Sequence, residues 1–368
     1  MKAFDCRICE LPSRILVRGV NWVGDTVMTF PASKVLRDIF PSAHIEYWAP
    51  ESLAGLLSVS RIPDEIITFP SGMNRLSRPF RMRSILREKE FDLVVLFQNA
   101  FESALTSWMA GIPMRVGYPT DARGPFINVR VPLTNEIRLQ HQVFYYLQIV
   151  TFLGDYFGLR PQQFGYQPDC SIILSRQLIK NAESLLLAHG KPENSRPVIC
   201  LCPGSVNSEA KRWPADNFAA LADLLNRELD AFVIFMGAPT EIGLIESIIG
   251  SMSHGNAVNL AGETNIEQSL GIMNLSSLVI SNDTGSAHLA VAASARVLTI
   301  FGPTIPGATA PFGRDAQIIY DAYECSPCRH FSCPFPDHPC MRSITPQSVF
   351  DKASRMIQTA SERNASAG

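Results

Sequence analysis

Asp25 closes the segment Gly19-Val20-Asn21-Trp22-Val23-Gly24-Asp25-Thr26, whose glycines have the spacing of a phosphate-cradling Walker A loop. An acid stands where that loop needs lysine, and a carboxylate there would repel a triphosphate, which argues against an NTPase site. The glycines still let the backbone turn tightly and approach a ligand. Asp25 reads as the N-cap of the helical pattern that follows, as a general base taking a proton from a hydroxyl, or as both. Further along, Pro203-Gly204-Ser205-Val206-Asn207 precedes Ala210-Lys211-Arg212-Trp213-Pro214. Pro214 suits a first helical turn. Lys211 and Arg212 then lie beside a small-residue loop at a helix start, where N–H groups, the helix dipole and a cation converge on a diphosphate. The alternative is a solvated basic pair. A third loop, Asn282-Asp283-Thr284-Gly285-Ser286-Ala287-His288-Leu289-Ala290, again offers small residues at a helix start. Asp283 also reads as a cap and His288 as a packed core histidine. Two such loops, one with a basic pair, point to a nucleotide-diphosphate site. Glu241 follows Phe235-Met236-Gly237-Ala238-Pro239 and suits sugar hydroxyls, or simply starts a helix.

Positioning these residues requires strands that end beneath them. Short apolar runs alternate with helix-length segments almost throughout. In the first half the expected strands are Arg14–Gly19, His44–Ala49, Glu65–Phe69 and Phe91–Phe97, with helices over Thr26–Phe40, Glu51–Ser60 and Arg81–Lys89. In the second half they are Val198–Cys202, Phe232–Gly237, Ala257–Leu260, Leu278–Ser281 and Val297–Phe301. Helices are expected over Asp216–Arg227, Glu241–Ser251, Ile266–Asn274 and Ser286–Ala293. Such alternation predicts parallel sheets with helices on both faces, and ligands outside the carboxyl ends of the strands. Gly158–Asp169, rich in Gly, Pro and Gln, is the expected linker between the halves.

At 368 residues, 46% hydrophobic and 18% charged, the chain can bury two ordinary α/β cores, which excludes global disorder. Lys+Arg 32 against Asp+Glu 34 argues against a general nucleic-acid binder. No apolar run is long enough for a transmembrane helix, and the N-terminal residues carry acids and no apolar h-region, so no secretory signal is expected. Nine scattered cysteines suit a reducing cytoplasm.

The Gly24-Asp25 loop, the Lys211-Arg212-Trp213-Pro214 run and the Asp283-to-His288 loop, in this order over most of the chain, resemble the ADP-heptose:lipopolysaccharide heptosyltransferases of glycosyltransferase family 9. The resemblance implies a GT-B architecture: two facing Rossmann-like doubly wound domains, with a C-terminal helix crossing back. Residues 1–165 would bind the acceptor, 166–345 the ADP-sugar, and 346–368 would form the helix and tail. It implies inverting, metal-independent transfer of heptose from ADP-heptose to the inner-core heptose of Kdo–lipid A. A monomer, cytoplasmic and peripheral to the inner membrane, with no nucleic acid, is expected. By motif match Asp25 would be the base and Lys211 would hold the diphosphate. Ser205, Glu241, Asp283, Thr284, Gly285 and His288 would complete the donor site. Asn21, Trp22, Arg123 and His141 match acceptor-side segments.

Arg75, Arg78, Arg81, Arg83 and Arg87 lie in an acid-free stretch. It reads as a solvated face, or, with that acceptor, as a grip on Kdo carboxylates, lipid A phosphates or an anionic membrane surface; Arg78 and Arg81 are the acceptor-side candidates. Cys325-x2-Cys328-x4-Cys333-x6-Cys340 suits a structural zinc site, a disulfide pair or free thiols; its spacing is irregular for a zinc finger. No Asp-x-Asp donor-metal motif occurs and no catalytic cofactor is expected. Competing readings are a family 9 transferase with another acceptor, a nucleotide-sugar epimerase of similar shape, and a zinc-stabilised interaction protein that would leave the other motifs idle.

Overall fold

The computed structural model describes residues 11–70, 73, 77–159, 167–192, 196–206 and 208–367. The chain divides into two compact units, Met1–Asp169 and Cys170–Gly368.

The first unit has strands β1 (Arg14–Arg18), β2 (His44–Pro50), β3 (Glu65–Phe69), β4 (Leu93–Leu96), β5 (Met114–Gly117) and β6 (Val129–Arg130). Its helices are α1 (Val23–Ile39), α2 (Ala54–Ser60), α3 (Arg78–Glu88), α4 (Phe101–Met109), α5 (Asn135–Leu139) and α6 (Gln142–Tyr156). The second unit opens with α7 (Arg176–Ala188), followed by β7 (Val198–Cys202), α8 (Ala215–Leu229), β8 (Phe232–Phe235), α9 (Ile242–Gly250) and β9 (Ala257–Asn259). Then come α10 (Ile266–Leu275), β10 (Leu278–Asn282), α11 (Gly285–Ala292), β11 (Val297–Phe301), α12 (Pro306–Thr309) and β12 (Ala316–Tyr320). Two helices finish the chain, α13 (Pro339–Arg342) and α14 (Pro346–Ala367).

Both sheets are parallel, with orders β3-β2-β1-β4-β5-β6 and β12-β11-β10-β7-β8-β9. Counted from its own first strand, the second sheet repeats the order of the first. The order reverses between β1 and β4 in one unit and between β7 and β10 in the other. Crossovers leave in opposite directions at such a point, so the loops after those strands part and leave a crevice at the carboxyl edge.

Burial on both faces explains the apolar runs: Ile15, Leu16 and Val17 of β1, the whole of β4 and the whole of β7 are buried. On α8, Phe218, Leu221, Ala222 and Leu225 recur at helical spacing and face β7, β8 and β10 through Leu201, Phe235 and Ile280. Val349, Ala353 and Met356 of α14 join that same core, so the last helix counts with the second unit.

Several expectations are corrected. Trp22, not Asp25, is the N-cap of α1, and Asp25 is the third residue of the helix. Pro214 stands just outside α8 as its N-cap. Thr284 occupies the N-cap of α11, which frees Asp283 for another partner. Strands β5, β6 and β12 and helices α4, α6 and α7 were not signalled by the apolar runs. The β5 sequence MRVG carries an arginine and a glycine, β6 has two residues, and β12 is a half-exposed edge strand. Part of the expected linker, 160–166, lies outside the described residues, as does Arg75. Among the described residues no helix is long and apolar enough to cross a membrane.

Gly154 lies where α6 packs on α1: a Cβ there would stand 2.8 Å from the Leu159 carbonyl oxygen and 3.0 Å from Ile39 Cδ1. Gly154→Val is therefore expected to destabilise the first unit by about 1–3 kcal/mol, because backbone on one side and a core isoleucine on the other must yield. Denaturant unfolding followed by circular dichroism checks this; an unshifted midpoint would show that the crossing has room.

Candidate active site

In the second unit, β7 runs out into Pro203, Gly204 and Ser205, and β10 into Asp283 and Thr284. Asn282, the last residue of β10, is fully buried. Its Nδ2 donates to Pro203 O at 2.7 Å, and its Oδ1 accepts from the Trp213 N–H at 3.1 Å. One carboxamide thus ties both loops to the end of the strand. Trp213 is fixed in turn, its Nε1–H donating to Ile344 O at 2.8 Å and its ring edge-on to Phe218.

This anchoring leaves Lys211 leaning over the end of β10. Its Nζ lies 2.8 Å from Asp283 Oδ2 and donates to Asp283 O at 3.2 Å. Asp283 is buried, and its Oδ2 also accepts from Thr304 Oγ1 at 2.7 Å. Gly285 opens α11, so the helix N–H groups begin next to the lysine head. The Arg212 guanidinium donates to Ser205 O at 3.0 Å and closes the loop after β7. Glu241 is also buried; its Oε2 accepts from the Ala238 N–H at 2.8 Å, and its carboxylate covers Gly204. A Cβ at 204 would fall on that carboxylate, which explains the glycine. Ser205, Lys211, Glu241, Asp283, Thr284 and Gly285 therefore ring one carboxyl edge, and His288 is buried in α11 behind them. The set can hold a diphosphate: a mobile-headed cation, helix N–H groups and a small-residue loop.

In the first unit, Asp25 sits half-buried in the first turn after β1, where helix dipoles favour a carboxylate. Tyr146 of α6 lies close to it; burial first, and then the negative charge of Asp25, pushes that phenol well above its ordinary pKa. Trp22 projects into solvent, 58% exposed. Asn21 Oδ1 accepts from Arg18 Nη2 at 3.0 Å. Arg81 is exposed, whereas Arg78 is buried, its guanidinium 4.7 Å from the Phe69 ring centre, 3.5 Å from Glu102 and donating to Met73 O. The arginine stretch is therefore not one solvated face. Arg123 is fully buried and donates to Tyr118 O at 2.8 Å, to Gln98 O and to Asn99 Oδ1 at 2.7 Å. It stiffens the loop after β4 instead of facing outward. His141 is the N-cap of α6, its Nδ1 accepting from the Val143 N–H.

Sequence reasoning missed Arg18 and Asn99. Arg18, the last residue of β1, is buried 4.7 Å from the Trp48 ring centre and holds Gly19 O, Trp48 O and Asn21. Burial drives its guanidinium down to about 9, against the opposing pull of Glu102. A charged residue closing the apolar Ile15–Val17 run was the available signal. Asn99 Nδ2 donates to Tyr145 Oη at 2.7 Å, and nothing in its sequence context marked it.

The four cysteines do not form a metal-spaced set. Among the described residues the one grouping at ligand spacing is His44, Glu46 and Glu65, and Arg14 and Lys89 already pair with Glu46 there. The described cysteines are free thiols. Their loop braces the segment that carries Lys211: Phe331 O accepts from the Ala210 N–H and from Ser208 Oγ, each at 3.0 Å, and His338 Nε2 donates to Ala210 O at 2.7 Å.

Two parallel-sheet units with the same strand order, one bearing an edge that can hold a diphosphate, give the chain the two-unit architecture of nucleotide-sugar glycosyltransferases. The family model for glycosyltransferase family 9 (heptosyltransferase) matches residues 80–338. Lipopolysaccharide heptosyltransferase 2 of Salmonella typhimurium is 30% identical over 351 residues, covering 94% of this chain and 98% of the relative. The solved Escherichia coli ADP-heptose lps heptosyltransferase II superposes with a TM-score of 0.79 at 26% identity, covering 95% of this chain and 99% of that one. A family 9 glycosyl transferase of Veillonella parvula shares the fold, with a TM-score of 0.80 at 20% identity and coverage of 94% and 97%. The chain belongs to glycosyltransferase family 9, is a glycosyltransferase, and has the two-unit α/β fold of the GT-B enzymes.

The Cys340 thiol is pushed from 9.0 up to about 11, by burial and then by Cys325, Cys333 and Cys328. Alkylation needs the thiolate, so at pH 8 Cys340 should react about a hundredfold slower in the folded chain than in the urea-unfolded one. Iodoacetamide labelling read by peptide mass spectrometry checks this; equal rates would put that thiol in solvent.

Proposed function

We propose that this chain transfers heptose, with inversion, from ADP-heptose to the inner-core heptose of Kdo–lipid A in lipopolysaccharide core assembly. Support comes from its relatives' stated activity, and the observation that carries the site assignment is Lys211 held by Asp283 at the start of α11. The second unit takes the donor. Lys211 and the α11 N–H groups stabilise charge growing on the β-phosphate as ADP leaves. Thr284 and Gly285 approach the phosphates, Ser205 lines the loop, Glu241 meets sugar hydroxyls, and His288 packs behind.

The first unit takes the acceptor. Its hydroxyl attacks the anomeric carbon and gives its proton to the Asp25 carboxylate. Trp22 offers an exposed ring face to a sugar, and Arg81 an exposed fork to a carboxylate or phosphate. Asn21, Arg78, Arg123 and His141 hold the acceptor-side loops in place. The transfer is metal-independent. The enzyme works as a monomer on the cytoplasmic side of the inner membrane.

ADP release from ADP-heptose tests the reading. It should require heptosyl-Kdo–lipid A; acceptor-independent turnover would favour an epimerase or hydrolytic reading. Asp25→Asn should lower kcat by about 10²–10⁴-fold with the donor KM nearly unchanged, as expected for loss of a general base. Undiminished turnover removes Asp25 from the reaction. Lys211→Ala should raise the donor KM and lower kcat together, and an unaltered donor response would dismiss the diphosphate role.

A further inference from the structure

At the opposite, amino-terminal edge of the second sheet lies a recess of about 400 Å³ lined by Arg296, Arg314, Asp315, Gln317, Lys352 and Arg355, among others. Arg296 immediately precedes β11, Arg314 and Asp315 lead into β12, and Lys352 and Arg355 come from α14. The donor loops leave the carboxyl ends of the same strands, so the recess is separate from the diphosphate site.

Four cations and one carboxylate share this space. Among the described residues, the guanidinium groups of Arg296, Arg314 and Arg355 make no ion pair and no hydrogen bond. Lys352 donates to Ile318 O at 2.7 Å, and burial followed by the charge of Arg355 lowers its pKa. Like charges gathered in one concavity repel each other and raise the local positive potential, which an anion relieves. Three guanidinium forks and an ammonium offer the planar, multidentate donors that match phosphate oxygens.

We propose that this recess is a second anion site that binds a phosphate group, carried either by a soluble phosphorylated molecule or by a lipid headgroup. The full chain, saturated with ADP to occupy the donor edge, is titrated with inorganic pyrophosphate by calorimetry. In parallel it is sedimented with phosphatidylcholine vesicles with and without phosphatidylglycerol. Arg314 and Arg355 are exposed, so the Arg314→Glu/Arg355→Glu variant should fold; where its melting temperature falls, the Arg314→Ala/Arg355→Ala pair replaces it.

Wild type should bind in at least one arm, and the double variant should bind about tenfold or more weakly. Arg227→Glu, which removes an exposed arginine of α8, should bind like wild type. Pyrophosphate binding alone identifies a soluble ligand, and phosphatidylglycerol-dependent sedimentation identifies a headgroup. Absence of binding in both arms, wild-type binding by the double variant, or an equal loss in Arg227→Glu overturns the proposal.

Discussion

The carboxyl edge of the second sheet depends on one buried carboxamide. Asn282 ends a strand inside the second unit, where either of its polar ends would be costly without a partner, on the order of 1–3 kcal/mol. Both ends are satisfied by backbone from different loops, Pro203 O and the Trp213 N–H. The residue therefore does more than fill space. It sets the distance between the loop after β7 and the run that carries Lys211, and it does so at the point where the strand order reverses. No aliphatic side chain of the same volume could specify that spacing, because packing is not directional and a paired donor and acceptor are.

The first unit solves the same problem with a charge. Arg18 ends β1 and gathers Gly19 O, Trp48 O and Asn21 Oδ1 beneath the turn that leads to Asp25. A buried guanidinium costs more to desolvate than an amide, and its lowered pKa records that cost. The indole face of Trp48 and the ring of Phe69, 5.2 Å away, offset part of it. Arg123 repeats the device on the loop after β4. Two inward arginines thus shape the neighbouring loops at the reversal of this sheet, and the catalytic candidates on them need only short side chains.

The fold was legible wherever strands are buried on both faces, since continuous apolar runs of β1, β4, β7 and β10 have no other explanation. It was illegible at the sheet margins, where β6 has two residues and β12 is half-exposed, because the apolar signal fades with burial. The loops after β7 and β10 stood out as candidates because small residues lie at helix starts there, one of them beside a basic pair. Asn99, Asn282 and Thr304 did not, because a polar residue acquires its role only when remote backbone arrives beside it. The cysteines were less decisive. Their clustering left a structural zinc, a disulfide pair and free thiols open; in the fold Cys340 and Met341 pack over Gly302, where a Cβ would collide with the methionine, and the loop supports Ser208 and Ala210.

The Lys211–Asp283 pair fixes a cation at the carboxyl edge of the second sheet without leaving either charge unpaired. An unpaired lysine there would carry a partly desolvated cation and nearly the full rotamer freedom of its stem, roughly 2 kcal/mol, to be lost on binding. Asp283 removes both costs beforehand. Its own carboxylate is held by the Thr304 hydroxyl, so it does not follow the lysine when the head turns. Lys211 keeps 28% of its side chain exposed against 5% for Asp283, and of the two it is the lysine that has room to move. Any group that drew the ammonium head away would have to offset the loss of the cation that pairs with this buried carboxylate. The pairing holds the cation and the loop in one arrangement through contacts of the chain's own.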